Sequence, residues 1–461
     1  MIRLNAFIQR GDLGDNIDMS ERRTAWLMSA GTALMFIGGC FNLFFRATPS
    51  LFHFGTQASV ASDDAADDDD SCADTTELAM AMTAWRQTQQ RGIHSALSTE
   101  VETAPVGGDI APARSVVDAY ASLHSVAVDP DANQVMVSDS NRGAIFFYNR
   151  SAGGNSSQIA NPERVIRGPR TGMMFVAGIA LDTTDREVFA VNNDIGDRME
   201  VFPYDLEGNA KPKRVLSVPH GAWGVALNPM RKEVAVSIEH PNTVVVYRRE
   251  ATGSEAPLRV LRGPETELAD PHGIVVDTGH DEMLVANHGN WAPLTREEEQ
   301  AQGGLRGGHF ALPSINTYAI DAKGDDKPIR KIQGAQTQLN WPMGLSLDAT
   351  HDEIAVANYG TNSILAFRRN AGGDVAPLRV IRGDRTGILG PMGVAIDVKN
   401  DELWVTNYRD HTAVVFARTA NGNVTPKRVL RNAPAGTPAV GFGNPGAIAY
   451  DSKRGQILVP N

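Results

Sequence analysis

The sequence predicts an all-β fold: a seven-bladed β-propeller of four-stranded blades, closed by strands from both chain ends and preceded by one transmembrane or signal helix. Three observations predict it. A unit of about fifty residues recurs along most of the chain, and repeats of that length mark propellers and solenoids. Each unit holds four short runs rich in Val, Ile, Ala and aromatics separated by Asp, Asn and Gly, the pattern of an antiparallel meander. The last copy stops after two strands, and a piece resembling the missing outer strand sits near the start, where 107–116 matches 372–381. One small sheet cannot cover both of its faces, so such units stack around an axis.

The clearest copy opens with Pro391-Met392-Gly393-Val394-Ala395-Ile396-Asp397 and continues through Glu402-Leu403-Trp404-Val405-Thr406-Asn407-Tyr408. Ala413-Val414-Val415-Phe416 and Pro426-Lys427-Arg428-Val429-Leu430 complete it. First strands are expected at 125–129, 178–182, 224–228, 273–277, 344–348, 393–397 and 447–451, which makes seven. Closure by Arg114 and Val116 beside the C-terminal strands would leave no open sheet edge. Six blades is the fallback if the two terminal halves do not meet.

The 461 residues carry a net charge of -11, and 42% of them are hydrophobic. Residues 1–111 hold seven basic and fifteen acidic side chains, which leaves 36 against 39 for the remainder. A nearly neutral ring without a Lys/Arg stripe argues against nucleic acid, which needs a concentrated basic footprint. Cys40 and Cys72 both precede the repeats, so disulfides do not hold the ring.

Residues 1–23 read as a polar, cytoplasmic N-terminal segment, and 24–45 contains no charge and is long and apolar enough to span a bilayer. Arg22 and Arg23 before it place the propeller on the extracytoplasmic side, periplasmic or cell-surface, by the positive-inside bias. Ile37-Gly38-Gly39-Cys40 resembles a lipobox, with Cys40 as the lipidated residue. An uncleaved membrane anchor, a lipoprotein and a cleaved signal all export the ring. Residues 46–105 form an acidic linker with a short helix at 76–90, and its run of Asp lacks the Gly and ligand spacing of a calcium loop. The propeller is expected over 106–461.

One insertion breaks the period. Between the second and third strands of the fourth blade, 289–314 adds Trp291, an acidic Glu297-Glu298-Glu299 turn and His309, where ordinary connections are a few residues long. Second-to-third-strand loops open on the face where the channel widens, which makes this loop a candidate lid or binding wall.

Repeats also align positions around the channel. Just before the first strands stand His124, Ala177, Trp223, His272, Met343, Met392 and Gly446. At the ends of the second strands stand Asp139, Asn192, Ile238, Asn287, Asn358, Asn407 and Asn461, followed by Ser140, Asn193, Glu239, His288, Tyr359 and Tyr408. Asn or Asp ending a strand caps the turn, which explains much of this collar without function. Departures from the repeat point to a site: His124, His272, His288 and Glu239 are the candidate ligands of one divalent metal, Ca, Mg or Zn. Arg114, Arg164, Arg214, Arg259, Arg330, Arg379 and Arg428 recur in the outer strands and read as structural partners of acidic groups or turn carbonyls.

Units such as 391–397 with Val405-Thr406-Asn407-Tyr408, and Val356-Ala357-Asn358-Tyr359-Gly360-Thr361-Asn362-Ser363-Ile364, resemble NHL and YVTN-type propeller repeats. That superfamily holds protein-binding scaffolds together with metal-dependent lactonases and lyases, so the resemblance implies a fold and leaves the activity open. The leading expectation is a membrane-tethered module that binds a protein partner or envelope ligand through the channel face and the 289–314 loop. Its contact residues would be His124, Trp223, Glu239, His272, Asn287, His288, Trp291, His309, Asn358, Tyr359, Asn407 and Tyr408. The alternative is a lactonase- or lyase-like enzyme with its metal on the axis. No Gly-x-Ser-x-Gly nucleophile motif is present.

Overall fold

The computed structural model describes residues 119–458 except 155–157, 194–195, 305–306, 440–448, 452 and 454–455. Segment 24–45, Cys40, the short helix expected at 76–90 and the strand expected around Arg114 and Val116 lie outside the described residues. Among the described residues no helix is long and apolar enough to cross a membrane.

Six four-stranded antiparallel sheets make up the ring, at 123–167, 176–217, 222–262, 271–332, 342–381 and 391–431. Second strands such as Glu402–Asn407 are buried along their whole length, because a neighbouring blade covers each face. Outer strands such as Arg259–Arg262 bury only Leu261 and leave the remainder partly wet. The first turn is set by the Asp that ends the first strand. Asp129 Oδ1 accepts from Asp131 N at 3.1 Å and Ala132 N at 2.9 Å, and Asp182 Oδ1 accepts from Thr184 N and Asp185 N at 3.0 Å.

The blade count is six, which corrects the expected seven. Blade 1 packs directly against blade 6 in one core, where Leu123, Val135 and Val137 meet Trp404, Val415 and Leu430. Three further contacts lock this seam. Thr406 Oγ1 donates to the His124 carbonyl, and Arg150 reaches Glu402 at 2.7 Å and Asp397 at 3.8 Å. Arg369 does the same for blade 4 from blade 5, and Arg418 for blade 5 from blade 6. Finally, Gly154 exchanges backbone bonds of 3.0 and 2.7 Å with Val429. Equivalent staples join Gly208, Gly253, Gly324, Gly373 and Gly422 to the outer strand of the preceding blade. Among the described residues the seventh copy is a hairpin, Ala449–Asp451 with Gln456–Leu458, in a two-stranded sheet.

Inner strands pack backbone to backbone. A Cβ on Gly178 would lie 2.2 Å from the Trp223 carbonyl oxygen, and one on Gly224 would lie 2.4 Å from that of His272. Gly273, Gly344 and Gly393 face the next blade in the same way, and Gly393 meets the His124 carbonyl, which closes the circuit. Blade 1 carries Ser125 instead, whose hydroxyl accepts from Ile179 N at 3.3 Å.

The described outer-strand arginines are structural: five hold a glutamate of their own blade, and Arg164, Arg259 and Arg428 reach backbone carbonyls of the next. Arg214, Arg259, Arg330, Arg379 and Arg428 each clasp the Glu that opens the second strand, for example Arg259 on Glu233 at 2.8 and 2.7 Å. Blade 1 has Gln134 there, and Arg164 instead lies over Phe147 and donates to the carbonyls of Tyr204 and Leu206.

The described residues of the blade-4 insertion form a small hairpin and a helix. Trp291–Pro293 pairs with Gly308–Phe310, and between them a short helix, Arg296–Ala301, starts with a reciprocal Thr295/Glu298 capping box. Ala292 and Leu294 are buried, and Arg296 N donates to Glu265 Oε1 at 2.6 Å.

Candidate functional site

Three positions of each blade meet at the channel mouth: two flank the start of the first strand and one follows the second. In blade 4 they are Asp270, His272 and His288. The other blades carry Ser122, His124 and Ser140; Phe175, Ala177 and Asn193; Gly221, Trp223 and Glu239; Trp341, Met343 and Tyr359; and Gly390, Met392 and Tyr408. Below the mouth, the first strands of all six blades line the axial cavity.

Rings from these positions form a continuous arc. His124 lies 5.0 Å from Trp223, Trp223 lies 4.4 Å from His272, and His272 lies 4.7 Å from His288, between ring centroids. His288 continues to Trp341 at 4.8 Å, and Trp341 stacks on Tyr359 at 6.1 Å. Phe175 and Tyr408 each stand 5.9 Å from His124. Trp341 has a left-handed φ of 49° and keeps 45% of its surface in water. Blades 3 and 6 place Gly221 and Gly390 at that position, also with positive φ.

Hydrogen bonding fixes the imidazoles. His124 is buried, its Nδ1 donates to the Ala177 carbonyl at 2.7 Å, and its Nε2 has no hydrogen-bond partner. Burial pulls its pKa down to about 4, so the ring is neutral. His272 Nδ1 lies 2.8 Å from the Asp270 carbonyl and 3.8 Å from Asp270 Oδ1, while Nε2 lies 3.3 Å from Glu239 Oε2. Burial lowers the pKa of His272 and raises that of Glu239. His288 Nδ1 lies 3.1 Å from Asp270 Oδ2, and its Nε2 is buried without a partner. Burial alone would raise Asp270, but the His288 hydrogen bond and the neighbouring imidazole charges hold it at about 2.

Supporting residues hold this group. Asn193 Nδ2 donates to Glu239 Oε1 at 2.8 Å, Asp270 N donates to Asn242 Oδ1 at 2.7 Å, and Asn290, at the root of the insertion, reaches Asp270 Oδ2 at 3.4 Å. Among the described residues, Asp270, His272 and His288 form a group with one potential ligand atom from each, all within 4.8 Å of one another.

Of the residues expected at the site, His124, Trp223, Glu239, His272, His288, Tyr359 and Tyr408 come together at the mouth. Trp223 stands between His124 and His272, which sets His124 apart from the other imidazoles. Asn287, Asn358 and Asn407 are fully buried. Each holds the segment before its blade's first strand, with Oδ1 accepting from Ala269 N at 3.1 Å, Asn340 N at 2.7 Å and Leu389 N at 3.0 Å. On the insertion, Trp291 packs edge-on against Phe310 at 6.1 Å and His309 lies 3.8 Å from Glu298. Asp270, Trp341 and Phe175 were not expected. All three occupy one register, two residues before the aligned His272, and extending the comparison by those two positions would have found them.

No family model matches the chain, and no curated protein matches it by sequence. Solved structures similar to it include a chain of the nidogen/laminin complex, at 15% identity and TM-score 0.40, covering 67% of this chain and 95% of that one. Hydrazine synthase of Kuenenia stuttgartiensis is similar at 12% identity and TM-score 0.45, covering 76% and 98%. The WD40 β-propeller domain of Doa1 is similar at 12% identity and TM-score 0.43, covering 75% and 91%.

Proposed function

We propose that the protein is a membrane-tethered, extracytoplasmic propeller of the NHL/YVTN repeat type that binds a protein partner or envelope ligand at its channel mouth, with the 289–314 hairpin as one wall. The observation that carries this reading is Trp341. A bulky residue in the left-handed region costs roughly 1–2 kcal/mol. The ring nonetheless keeps 45% of its surface in water, beside His288 and Tyr359 at the mouth. Strained, exposed aromatics of this kind belong at ligand sites.

The test is site-resolved crosslinking in native membranes, with a photoreactive residue at 341 and a control at 398, in the turn between the first and second strands of blade 6 and so at the opposite end of the ring. A discrete adduct at 341 alone, lost in Trp223→Ala, supports the reading. Equal labelling at both positions overturns it. Trp341→Gly, measured separately, should abolish capture of that same partner while the ring still melts cooperatively.

A metal-dependent lactonase or lyase is the second reading, and the partnerless Nε2 atoms of His124 and His288 favour it. It requires a bound divalent ion to polarise the substrate.

A further inference from the structure

Blade 4 differs from the other five in one chemical respect: it alone places a metal-ligating side chain at all three mouth positions, Asp270, His272 and His288. A zinc-class ion bound at about 2.0–2.1 Å sets tetrahedral ligands roughly 3.4 Å apart. A group already within 4.8 Å reaches that spacing by side-chain movements of about an ångström.

The hydrogen bonding of the group asks for a cation. Every polar neighbour of His272 is an acceptor: the Asp270 carbonyl at 2.8 Å, Asp270 Oδ1 at 3.8 Å and Glu239 Oε2 at 3.3 Å. A neutral imidazole has one N–H and one in-plane lone pair, so with Glu239 ionised that lone pair faces an acceptor. His288 spends Nδ1 on Asp270 Oδ2 and leaves Nε2 buried with no partner. Carboxylates beside metal-binding histidines fix ring orientation, and Glu239 stands in that place at His272, held by Asn193, while Asn242 and Asn290 hold Asp270.

We propose that Asp270, His272 and His288 bind one zinc-class divalent ion at the rim of the channel mouth, in a single blade rather than on the axis. Two imidazoles and a carboxylate suit zinc and its neighbours better than calcium or magnesium, which take oxygen ligands. Three protein ligands leave a fourth position, between Trp223 and Trp341, for water or a ligand group.

The test uses the full chain, stripped with chelator and titrated with Zn²⁺ by calorimetry and with Co²⁺ by visible absorption. One equivalent should bind, with Ca²⁺ and Mg²⁺ at least a hundredfold weaker, and the Co²⁺ bands should report a nitrogen-containing, four- or five-coordinate site. Asp270→Asn keeps a residue type that tolerates the φ of 57° and should weaken binding at least tenfold, as should His288→Gln. His351→Asn, in the turn after the first strand of blade 5 and so at the opposite end of the ring, should bind as wild type. The proposal is overturned by no binding, by unchanged affinity in both blade-4 variants with native melting curves, or by equal loss in His351→Asn. These readings need no partner, so they are independent of the crosslinking result.

Discussion

Gly178→Ala tests the backbone packing of the ring most directly. The added Cβ would lie 2.2 Å from the Trp223 carbonyl oxygen, about 1 Å short of even a close C–H···O contact. Val191 Cγ2 at 3.1 Å blocks escape on the other side. The obstacle is backbone with no rotamer to change, so the first strand of blade 3 must retreat. Overpacking costs roughly 1–3 kcal/mol, and a rigid partner puts this substitution at the upper end, about 3 kcal/mol. With melting entropy of about 2.1 cal/mol/K per residue, a ring of about 310 residues loses roughly 5 °C. Thermal unfolding followed by circular dichroism reads this, and the aromatic near-ultraviolet signal should change too, because Trp223 moves with its carbonyl. Ser125→Gly in blade 1 is the control: that seam already accommodates a side chain, so the loss should stay near 1 kcal/mol, or about 2 °C. If Gly178→Ala melts within about 1 °C of wild type, the blades are not in backbone contact and the packing argument fails.

Arg150→Met at the blade 1/blade 6 seam leaves Glu402 still held by Arg428 and Lys427, so the expected cost is about 1–3 kcal/mol, matching Arg369→Met at the blade 4/blade 5 seam. A negligible effect of Arg150→Met beside a clear one for Arg369→Met would mean the ring does not close there. Glu200 is buried beside Asn192, and burial pushes its carboxyl up to about 8. A raised carboxyl pKa gives stability that is complete below the ordinary value near 4.5 and is lost as pH rises through about 8. Urea midpoints should therefore fall from pH 5 to pH 9 more steeply in wild type than in Glu200→Gln, and parallel profiles would refute the assignment. Replacing 291–310 with a short Gly-Ser turn should leave the melting temperature within about 3 °C, since the ring's sheet pairing does not pass through the insertion; a collapse of the melt would make the hairpin part of the core.

The strands were legible because each reports its own surroundings: period-two and continuous apolar runs state how many faces are covered, and Asp at 129, 182, 277, 348 and 397 states where the chain turns. The blade count was not legible in the same way. A run such as 447–451 announces a strand, but pairing partners are chosen by contacts far apart in sequence. The decisive ones, Thr406 with His124 and Arg150 with Glu402, involve residues that look ordinary in the repeat. Alignment of the repeats also found most of the mouth, since His272, His288 and Glu239 replace residues of other chemistry. It missed Asp270 because the comparison stopped at the residue next to the strand, and the left-handed turn that brings Asp270 back over the imidazoles is a backbone property. For the Asn collar, sequence reasoning expected local turn capping, whereas Asn287, Asn358 and Asn407 each bond a backbone N–H eighteen residues upstream.

Every blade of this ring is one uninterrupted stretch of chain, so no strand has to wait for a distant terminus before its sheet can form. Such local pairing favours fast, stepwise assembly as the polypeptide leaves the ribosome. Until the sixth blade is made, however, two apolar flanks stay bare: Leu123, Val135 and Val137 on the first blade, and Ala355, Ile364 and Ile381 on the fifth. A chain halted after five blades would therefore display a sticky surface in place of a finished joint, and quality-control proteases and chaperones would have a ready means of telling it from the completed molecule.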